Sequence, residues 1–421
     1  MSIQSQAKIL KTLKVKIKLD STNQLRLETL SNEHRLLYNH LMEFVKSTKT
    51  SDFKDNVEKG KTFRNVNDLT ISAKSAQNTT RLFIQNIKSF YALKKKDKTA
   101  HFPYKFKSHK YFTSFTHDVN GGNLDKFDLL EGKLALRLLN KQLLEINLPK
   151  IVDSTVTKEN LKTVTFFKDK HQKDYYLSFS YEVPACKSTS NDNFLSIDLG
   201  LKSIATCFSN ATDSFSIENS RFKNLDRQVR KVQSKKDLCK QGSRRQKKLA
   251  KAQRKLSSKK SNKTKDFQHK VSKEIVKVCK ENNISKLIIG DIKTKKLKDS
   301  KVANKGLNKS SQNEGTLSRF KGFLKYKAKE SGLEVSLVNE AYTSQENCLT
   351  GERNLSSDLG HRTVQVSEGL AIDRDLNSAI NISKRIKPVW FRHFDEEALK
   401  NISASYQEMY FDLKLGHLIR K

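Results

Sequence analysis

Residues 221–270 carry a density of positive charge that no globular core could bury. They contain 20 Lys or Arg and three Asp, a local net charge of +17. A helix with a sparse apolar stripe can pack on one side only, so the pattern predicts a helical hairpin with an outward cationic side. Charged runs are usually solvated faces, but this density favours contact with a polyanion. The apolar residues at helical spacing are Leu225, Val229, Val232, Leu238, Leu249 and Leu256.

The whole chain shares this excess of cations. Among 421 residues, 82 Lys or Arg oppose 45 Asp or Glu, so the formal net charge at pH 7 is +37. Such a charge destabilises a compact fold by self-repulsion, which argues against a typical small-molecule enzyme. It favours nucleic acid as partner, ahead of an anionic membrane surface. Hydrophobic residues make up 36% of the chain, which predicts two to four folded domains rather than a disordered protein.

Cysteine usage and hydropathy indicate the compartment. No two of the five cysteines form a CxxC pair, so a disulfide framework is not expected and a reducing compartment fits. No stretch approaches the roughly 18 apolar residues of a membrane span, and the N-terminus lacks a signal-peptide core. We therefore expect an intracellular protein with no membrane partner.

The first half of the chain mixes strand and helix patterns. Residues 13–19, LKVKIKL, alternate strictly, which predicts a half-buried strand. Helical spacing covers residues 22–45 and 71–93, whereas the polar residues 51–67 fit a loop or a short helix. Together these patterns predict a small antiparallel barrel that begins with residues 13–19 and carries the helices as an insertion. The later strands of this barrel are expected at 133–138, 143–148, 163–167 and 175–181, with a hairpin turn at 168–174.

Residues 94–110 interleave basic residues with Phe102, Tyr104 and Phe106. Basic side chains bind phosphates and aromatic rings stack on bases, so the segment is a candidate nucleic-acid contact. A solvated loop anchored by its aromatic residues explains it equally well. The candidate ligands of nucleic acid here are Lys94, Lys95, Lys96, Lys105 and Lys107.

The second half follows a polar linker at 187–193 and has an α/β rhythm. A strand at 194–197 runs into Asp198-Leu199-Gly200 and a second strand at 204–208, which predicts a hairpin. The remaining strands are expected at 286–289 and 333–338, and helices at 267–279, 317–330 and 373–386.

Acidic residues stand at the ends of these elements. Asp198 closes the first strand, and Asp373 and Asp375 open the last helix. Residues two apart do not share a helix face, so one Asp should point into a site and the other should cap the helix or form a salt bridge. Carboxylates at neighbouring strand ends can hold two divalent cations that cut phosphodiesters, and they select Mg²⁺ or Mn²⁺ over zinc. Taken alone, the DRD sequence is explained as well by a helix cap.

Four segments resemble, in order, the RuvC-like segments of the TnpB family. They are SIDLGLKSIATCFSN at 196–210, LIIGDIKTKKL at 287–297, LSRFKGFLKYKAKESGLEVSLVNEAYTSQ at 317–345 and IDRDLNSAINI at 372–382. TnpB proteins are transposon-encoded, RNA-guided DNA nucleases related to CRISPR type V effectors and to Fanzors. The resemblance is specific over residues 194–386 and weaker over the N-terminal half.

The resemblance implies a multidomain chain of α+β and α/β class. Residues 1–190 would form a wedge β-barrel with a helical recognition insertion at about 22–100. Residues 191–387 would form an RNase-H-like (RuvC) nuclease domain, with the basic hairpin 221–270 and a degenerate zinc-finger-like insertion at 342–372. Residues 388–421 would be a tail without an assigned role.

The activity that the resemblance implies is RNA-guided cleavage of DNA by two-metal-ion hydrolysis, in the cytoplasm of a bacterium and in association with the nucleoid. The expected partners are a guide RNA and a double-stranded target DNA, and the expected cofactor is Mg²⁺ or Mn²⁺. The expected RNA and heteroduplex ligands in the hairpin are Arg227, Arg230, Lys231, Arg244, Arg245, Lys247, Lys248, Lys251 and Arg254.

The second RuvC-like segment departs from the family pattern. The family commonly has Glu then Asp there, whereas this chain has Gly290 then Asp291. Strand alternation turns Asp291 to the opposite side, so it is no simple substitute. Some family members carry the glutamate after the next strand, and here that residue is Glu340. The neighbouring strand would lie about 4.8 Å away, and a glutamate side chain is long enough to help bridge that offset. The expected catalytic and metal-binding residues are therefore Asp198, Glu340 and Asp375. If Glu340 instead pairs with a Lys, the enzyme is inactive.

The zinc segment departs as well. Family members usually have four cysteines there, but this chain offers only Cys348 and His361. Because a closed structural site needs about four N or S ligands, we expect no zinc and a module held by packing, with Cys348 as a core thiol. Two alternatives to an active nuclease stay open. One is a nuclease-dead, RNA-guided DNA-binding repressor, and the other is a plain RNA-binding structural protein.

Overall fold

The fold is described from a computed structural model that covers residues 8–48, 52–102, 105–119, 124–138, 143–150, 155–169, 174–186, 191–220, 222–291, 316–353, 355 and 362–421. The chain divides into two compact units, Met1–Pro184 and Ala185–Lys421, here called the N-terminal and C-terminal units. The division falls beside the predicted linker at 187–193. No helix in the described ranges is long and apolar enough to cross a membrane.

The strands in the described part of the N-terminal unit form two antiparallel sheets. The seven strands are β1 (Lys8–Ile17), β2 (Phe115–Asp118), β3 (Leu124–Asp128), β4 (Lys133–Arg137), β5 (Leu143–Asn147), β6 (Leu161–Lys168) and β7 (Tyr175–Pro184). One sheet has the order β1-β7-β6-β2 and the other the order β3-β4-β5. The first strand therefore pairs with β7, and β6 and β7 form the predicted hairpin. The single closed barrel expected from the sequence is wrong for the described residues, because β3–β5 form hydrogen bonds only among themselves there.

Between β1 and β2 the described residues form three helices: α1 (Ser21–Thr48), α2 (Phe53–Val66) and α3 (Ala73–Lys94). The polar stretch 51–67, for which the sequence allowed a loop or a short helix, contains the helix α2. The Asp52 side chain caps this helix by accepting hydrogen bonds from the backbone N–H groups of Lys54 and Asp55. Leu37, Leu41 and Phe83 are fully buried in the core that joins the helices to the sheets.

A seven-stranded mixed sheet forms the centre of the C-terminal unit. Its order is β12-β11-β8-β9-β10-β15-β16. Strand β8 pairs antiparallel with β9 and parallel with β11, and β11 pairs parallel with β12. Its strands are β8 (Phe194–Asp198), β9 (Ser203–Ser209), β10 (Phe215–Glu218), β11 (Lys286–Gly290), β12 (Glu334–Val338), β15 (Gln407–Phe411) and β16 (Leu418–Arg420), and a separate hairpin consists of β13 (Thr363–Ser367) and β14 (Leu370–Asp373).

Helices cover both faces of this sheet. The helices are α4 (Lys223–Asp237), α5 (Arg244–Glu281), α6 (Thr316–Glu330), α7 (Arg374–Lys384) and α8 (Glu396–Ser405). Residues of α5 and α6 pack on one face, against Ile197 and Ile289, while α7 packs on the other, against Phe194 and Ile288. The alternation of inward side chains in β8 and β11 separates the two apolar layers.

Residues 388–421 belong to the C-terminal unit rather than forming a separate tail. After a short 3-10 helix at Pro388–His393, helix α8 buries Leu399, and β15 joins the sheet parallel to β10. The Trp390 ring packs edge-on against Phe194 and Phe208. These residues extend both the sheet and one of its apolar layers.

Candidate active site

Asp198 lies at the end of β8, where the chain turns tightly into β9. The turn requires glycine, because a Cβ at Gly200 would lie 2.7 Å from the backbone oxygen of Ser203. The same Cβ position is 4.0 Å from Oδ2 of Asp375, so this turn also faces the start of α7. The Asp-Leu-Gly sequence thus brings the first carboxylate next to the last RuvC-like segment.

The two aspartates of DRD divide their roles at the start of α7. Asp373 caps the helix, accepting hydrogen bonds from the backbone N–H groups of Asp375 at 2.8 Å and Leu376 at 3.2 Å. Oδ2 of Asp375 accepts instead from Nη1 of Arg362 at 2.8 Å. One acid therefore caps and the other turns to the site, which is the arrangement that the two-residue spacing predicts.

The Glu340 carboxylate lies beside Gly290. Gly290 ends β11 and pairs with Val338 at the end of β12, two residues before Glu340. A Cβ built on Gly290 would lie 2.4 Å from Oε2 of Glu340 and 3.0 Å from Cδ1 of Ile382. The side chain of Glu340 thus fills the space into which a side chain at position 290 would extend, and only glycine leaves that space open.

Asp198 and Glu340 are crowded and poorly solvated. Burial raises the pKa of Asp198 to about 7, with Asp375 adding to the rise. Burial, together with the smaller effect of the neighbouring Asp198 carboxylate, raises the pKa of Glu340 to about 8. Oε2 of Glu340 is buried and accepts no hydrogen bond from the described part of the chain. Asp375 acts on the pKa of Asp198, and Asp198 acts on the pKa of Glu340, so Asp198 is electrostatically coupled to both other carboxylates.

Asp291, the acid next to Gly290, is engaged elsewhere. Its carboxylate forms an ion pair with Lys321 of α6, and its backbone N–H donates to the Val338 oxygen at 2.7 Å. It is still near enough to raise the pKa of Glu340, while Lys321 lowers it. Asp291 is thus a neutralised neighbour of the site.

Three polar side chains at the site escaped the sequence reasoning. The Arg362 guanidinium bonds Asp375 and reaches Asp373 at 3.4 Å. The Ser378 hydroxyl forms a hydrogen bond with Asp198, and it lies 2.9 Å from the Thr343 hydroxyl. The hairpin β13–β14 pairs Thr363 with Asp373, so its register delivers Arg362 to the site, and a hairpin signal at 363–373 could have indicated this.

The negative charge at this edge of the sheet suits a divalent cation. Carboxylate oxygens are the ligands that Mg²⁺ and Mn²⁺ prefer, and a cation would satisfy the buried Oε2 of Glu340 and offset the charge that raises both pKa values. Within the described ranges no three His, Cys, Asp or Glu side chains already form a metal-binding group. Asp375 is instead held by Arg362, so its service as a third ligand requires that ion pair to open.

The basic hairpin of the C-terminal unit consists of α4 and the first half of α5. The Nζ of Lys260 contacts Oδ1 of Asp226 at 2.6 Å, and the side chains of Lys236 and Gln253 bond at 2.9 Å, which joins the two helices side by side. Helix α5 runs on without a break through the amphipathic segment 267–279. The nine cationic residues proposed here from the sequence are all exposed: Arg227, Arg230, Lys231, Arg244, Arg245, Lys247, Lys248, Lys251 and Arg254.

The basic residues after α3 fall into two groups. Lys94, Lys95, Lys96 and Lys105 are exposed. Lys107 is different, because its Nζ lies 3.9 Å from the Tyr38 ring centroid and burial lowers its pKa to about 8. Tyr104, one of the aromatic residues singled out in the sequence, lies outside the described residues.

The zinc segment is described in part. Cys348 is fully buried in the apolar layer beneath α7, its backbone N–H donates to Asn377, and burial raises the pKa of its thiol to about 12. A protonated thiol in an apolar layer is a poor metal ligand. His361, the other candidate ligand, lies outside the described residues.

Two family models match this chain. A model described as a probable transposase (OrfB_IS605) matches residues 178–296, and one described as the TNB domain of Cas12f1-like proteins matches residues 318–382. The two TnpB-like proteins L79 and L770 of Acanthamoeba polyphaga mimivirus are each 31% identical to this chain over 246 residues. These matches show that parts of the chain are similar to transposase-related proteins.

The chain is thus similar to TnpB-like proteins over part of its length. It spans less than half the length of those curated relatives, 44%, while they cover 55% of it. The fold also resembles a solved structure, described as a Cas12f1-sgRNA-target DNA complex, with a TM-score of 0.63 and 14% identity over 89% of this chain and 99% of that one. The relatives are viral proteins, and they give no support to the bacterial setting expected from the sequence.

Proposed function

We propose that this protein is an RNA-guided DNA endonuclease whose C-terminal unit is a RuvC-like nuclease with a relocated glutamate. One observation carries the proposal: the Glu340 carboxylate fills the space beside Gly290 and is electrostatically coupled to Asp198. Burying a carboxylate is costly, yet Glu340 lies buried near Asp198 and Asp291, and its Oε2 accepts no hydrogen bond within the described residues. The similarity to TnpB-like proteins supports the same reaction class.

Asp198, Glu340 and Asp375 would hold Mg²⁺ or Mn²⁺ in this site. Bound there, the ions would supply an activated water and stabilise the leaving oxygen of a phosphodiester. The side chains around them have separate tasks. Asp373 fixes the start of α7 as its cap, Ser378 orients Asp198, and Arg362 holds Asp375 until it is needed as a ligand.

The exposed cations of the hairpin α4–α5 would bind the guide RNA and the guide–target duplex through their phosphates. They recur at three- and four-residue intervals along α5, so Arg244, Lys248 and Lys251 share one face with a regular spacing of charge. The exposed lysines after α3 would add a second contact in the N-terminal unit. Lys107 is excluded from this role because it packs on Tyr38. Base pairing by the guide would read the DNA sequence.

The test is cleavage of a target duplex by the protein reconstituted with the RNA that co-purifies with it. Asp198→Ala, Glu340→Ala and Asp375→Ala should each abolish cleavage with Mg²⁺ and Mn²⁺. Asp291→Ala is the matched control, since it removes a neighbouring carboxylate that is already paired with Lys321, and it should keep most of the activity. Target binding should survive all four substitutions. Normal cleavage by Glu340→Ala with loss in Asp291→Ala would refute the relocated glutamate.

A nuclease-dead, RNA-guided repressor is the second candidate function. It is favoured by Gly290 at a family glutamate position and by the Arg362–Asp375 ion pair, which engages one ligand. Stable target binding by the unsubstituted protein without cleavage in Mg²⁺ or Mn²⁺ would establish this function instead. Failure to recover any discrete RNA would count against both guided functions and leave a plain RNA-binding structural protein.

A further inference from the structure

Polar residues along one face of helix α7 form hydrogen bonds with the segment that bears Glu340. Asn377, Asn381 and Arg385, the C-cap residue that follows the helix, are spaced four apart, so they lie along one face. All three donate hydrogen bonds to backbone oxygens within residues 339–346. The opposite end of the same helix carries Asp375.

The two asparagines hold the part of the segment that follows Glu340. The amide of Asn377 donates to the Glu346 oxygen at 2.8 Å, and that of Asn381 donates to the Glu346 oxygen at 2.6 Å and the Thr343 oxygen at 3.0 Å. Oδ1 of Asn377 accepts from the backbone N–H of Cys348 at 3.0 Å. The segment is therefore attached to α7 through its main chain.

Arg385 holds the main chain on both sides of Glu340. Its Nη1 donates to the Asn339 oxygen at 2.6 Å, and its Nη2 donates to the Ala341 oxygen at 3.0 Å. Nη2 also reaches Oε2 of Glu346 at 3.2 Å, which anchors the guanidinium. A planar guanidinium that bridges two carbonyls fixes the residue between them far better than a single contact could.

Glu340 needs such an anchor because the sheet does not supply one. Strand β12 ends at Val338, so Glu340 lies past the last strand-to-strand hydrogen bonds. Two residues later, Tyr342 adopts the left-handed conformation with a φ of 67°, which a non-glycine residue keeps only where its surroundings impose it. A glutamate at position 290, by contrast, would stand on a strand paired on both sides.

We propose that Arg385 is a positioning residue that sets the Glu340 carboxylate against Asp198 and Asp375. This inference rests on the proposed nuclease function. Helix α7 then acts as a rigid spacer, since its first turn places Asp375 and its C-cap residue, Arg385, places the main chain of Glu340. In this arrangement the position of Glu340 depends on Arg385, which lies about three helical turns along α7 from Asp375.

The experiment measures Mn²⁺ affinity by calorimetry and single-turnover cleavage, both on the full chain with its co-purified RNA. Arg385→Ala and Arg385→Lys are made in the unsubstituted protein and in the Glu340→Ala background. Lys387→Ala is the matched control. It removes a cation from the same region, but Lys387 pairs with Asp192 at 2.9 Å rather than with the segment that bears Glu340. Melting temperatures identify any variant that fails to fold.

We expect Arg385→Ala to weaken Mn²⁺ binding about tenfold, the scale of one charge-assisted hydrogen bond, and to slow cleavage about a hundredfold, the effect of a displacement near 1 Å. Arg385→Lys, which can reach only one carbonyl well, should be intermediate. In the Glu340→Ala background, Arg385→Ala should weaken Mn²⁺ binding no further, because the group it positions is gone. Lys387→Ala should change neither quantity.

Unchanged Mn²⁺ affinity in folded Arg385→Ala or Arg385→Lys overturns the inference, and so does an equal loss in both backgrounds, since a general structural defect does not depend on Glu340. The calorimetric readout separates this result from failure of the proposed function. If the unsubstituted protein never cuts DNA but Arg385→Ala weakens Mn²⁺ binding only when Glu340 is present, the positioning role stands and the endonuclease proposal falls. Absence of any Mn²⁺ binding overturns both.

Discussion

Because Glu340 fills the space beside Gly290, adding a single methyl group at position 290 should displace the Glu340 carboxylate. In Gly290→Ala the new Cβ would lie 2.4 Å from Oε2 of Glu340, against at least 3.4 Å for ordinary contact, so the two atoms must separate by roughly 1 Å. The β11 backbone is paired on both sides and cannot give way easily. The Glu340 side chain is flexible and should be the group that moves.

A displacement of about 1 Å at a catalytic group costs on the order of a hundredfold in rate. We therefore expect single-turnover cleavage by Gly290→Ala to fall about a hundredfold, with target binding unchanged. Gly322→Ala in α6 is the matched control, because a Cβ there meets nothing within 4 Å. That variant should cleave normally and be slightly more stable. Rates are measured with guide-loaded protein in excess over a labelled duplex, at saturating Mg²⁺.

A second exchange asks whether the two positions are alternatives for one carboxylate. Gly290→Glu in the Glu340→Ala background restores a glutamate to the strand end and removes the side chain that fills its space. This double variant should regain cleavage that Glu340→Ala lacks, while Gly290→Glu alone should be impaired by two carboxylates in one space. Full activity in Gly290→Ala, or no recovery in the double variant together with normal folding, would refute the reasoning.

Three further predictions follow from the same structure. The pKa values of about 7 for Asp198 and about 8 for Glu340 lie above those of the unfolded chain, so at pH 6 both carboxyls hold protons that a cation must displace. Mn²⁺ affinity, measured by calorimetry, should therefore rise from pH 6 to pH 9. The stability of the metal-free protein, measured by thermal melts, should fall over the same range, because the folded state loses protons that the unfolded state has already released. Replacing Arg244, Lys248 and Lys251 together by Gln should reduce the slope of log affinity for the co-purified RNA against log salt by roughly two, whereas an unchanged slope would remove the α5 face from the RNA interface. Elemental analysis after dialysis should find less than stoichiometric zinc, and one tightly held zinc per chain would contradict the assignment of Cys348 to the core.

The elements of the C-terminal unit could be predicted well because local patterns specify them. Strand β8 ends at the aspartate that the sequence indicated, and the spacing of Asp373 and Asp375 predicts that one caps α7. The contact of Glu340 with Gly290 could not be derived from spacing alone, because it depends on how far a side chain reaches across two strands. Arg362 was missed for a different reason, since only the register of the β13–β14 hairpin brings it to Asp375.

In the N-terminal unit, sequence patterns predicted individual strands but not how the strands assemble into sheets. Alternation predicted most of its strands, but alternation does not encode whether a sheet closes, and the described strands form two open sheets. The polar segment 52–66 lacks a strong apolar stripe, so its helix depends on the cap at Asp52 and on packing against α1 and α3. The strand at 407–411 was missed because its partner β10 is remote in sequence, and no local pattern announces a parallel neighbour.

That remote partnership sets an order of events during synthesis. Until residues 407–411 have been made, β10 is an edge strand whose outer N–H and C=O groups are open to pairing with another chain. Asp198, Glu340 and Asp375 all precede this strand, so a nascent chain has every site carboxylate before its sheet is closed off. Non-local parallel pairing is also slow to form. Expression at lower temperature with co-expressed chaperones should therefore increase the yield of folded protein more than substitutions on its cationic surface would.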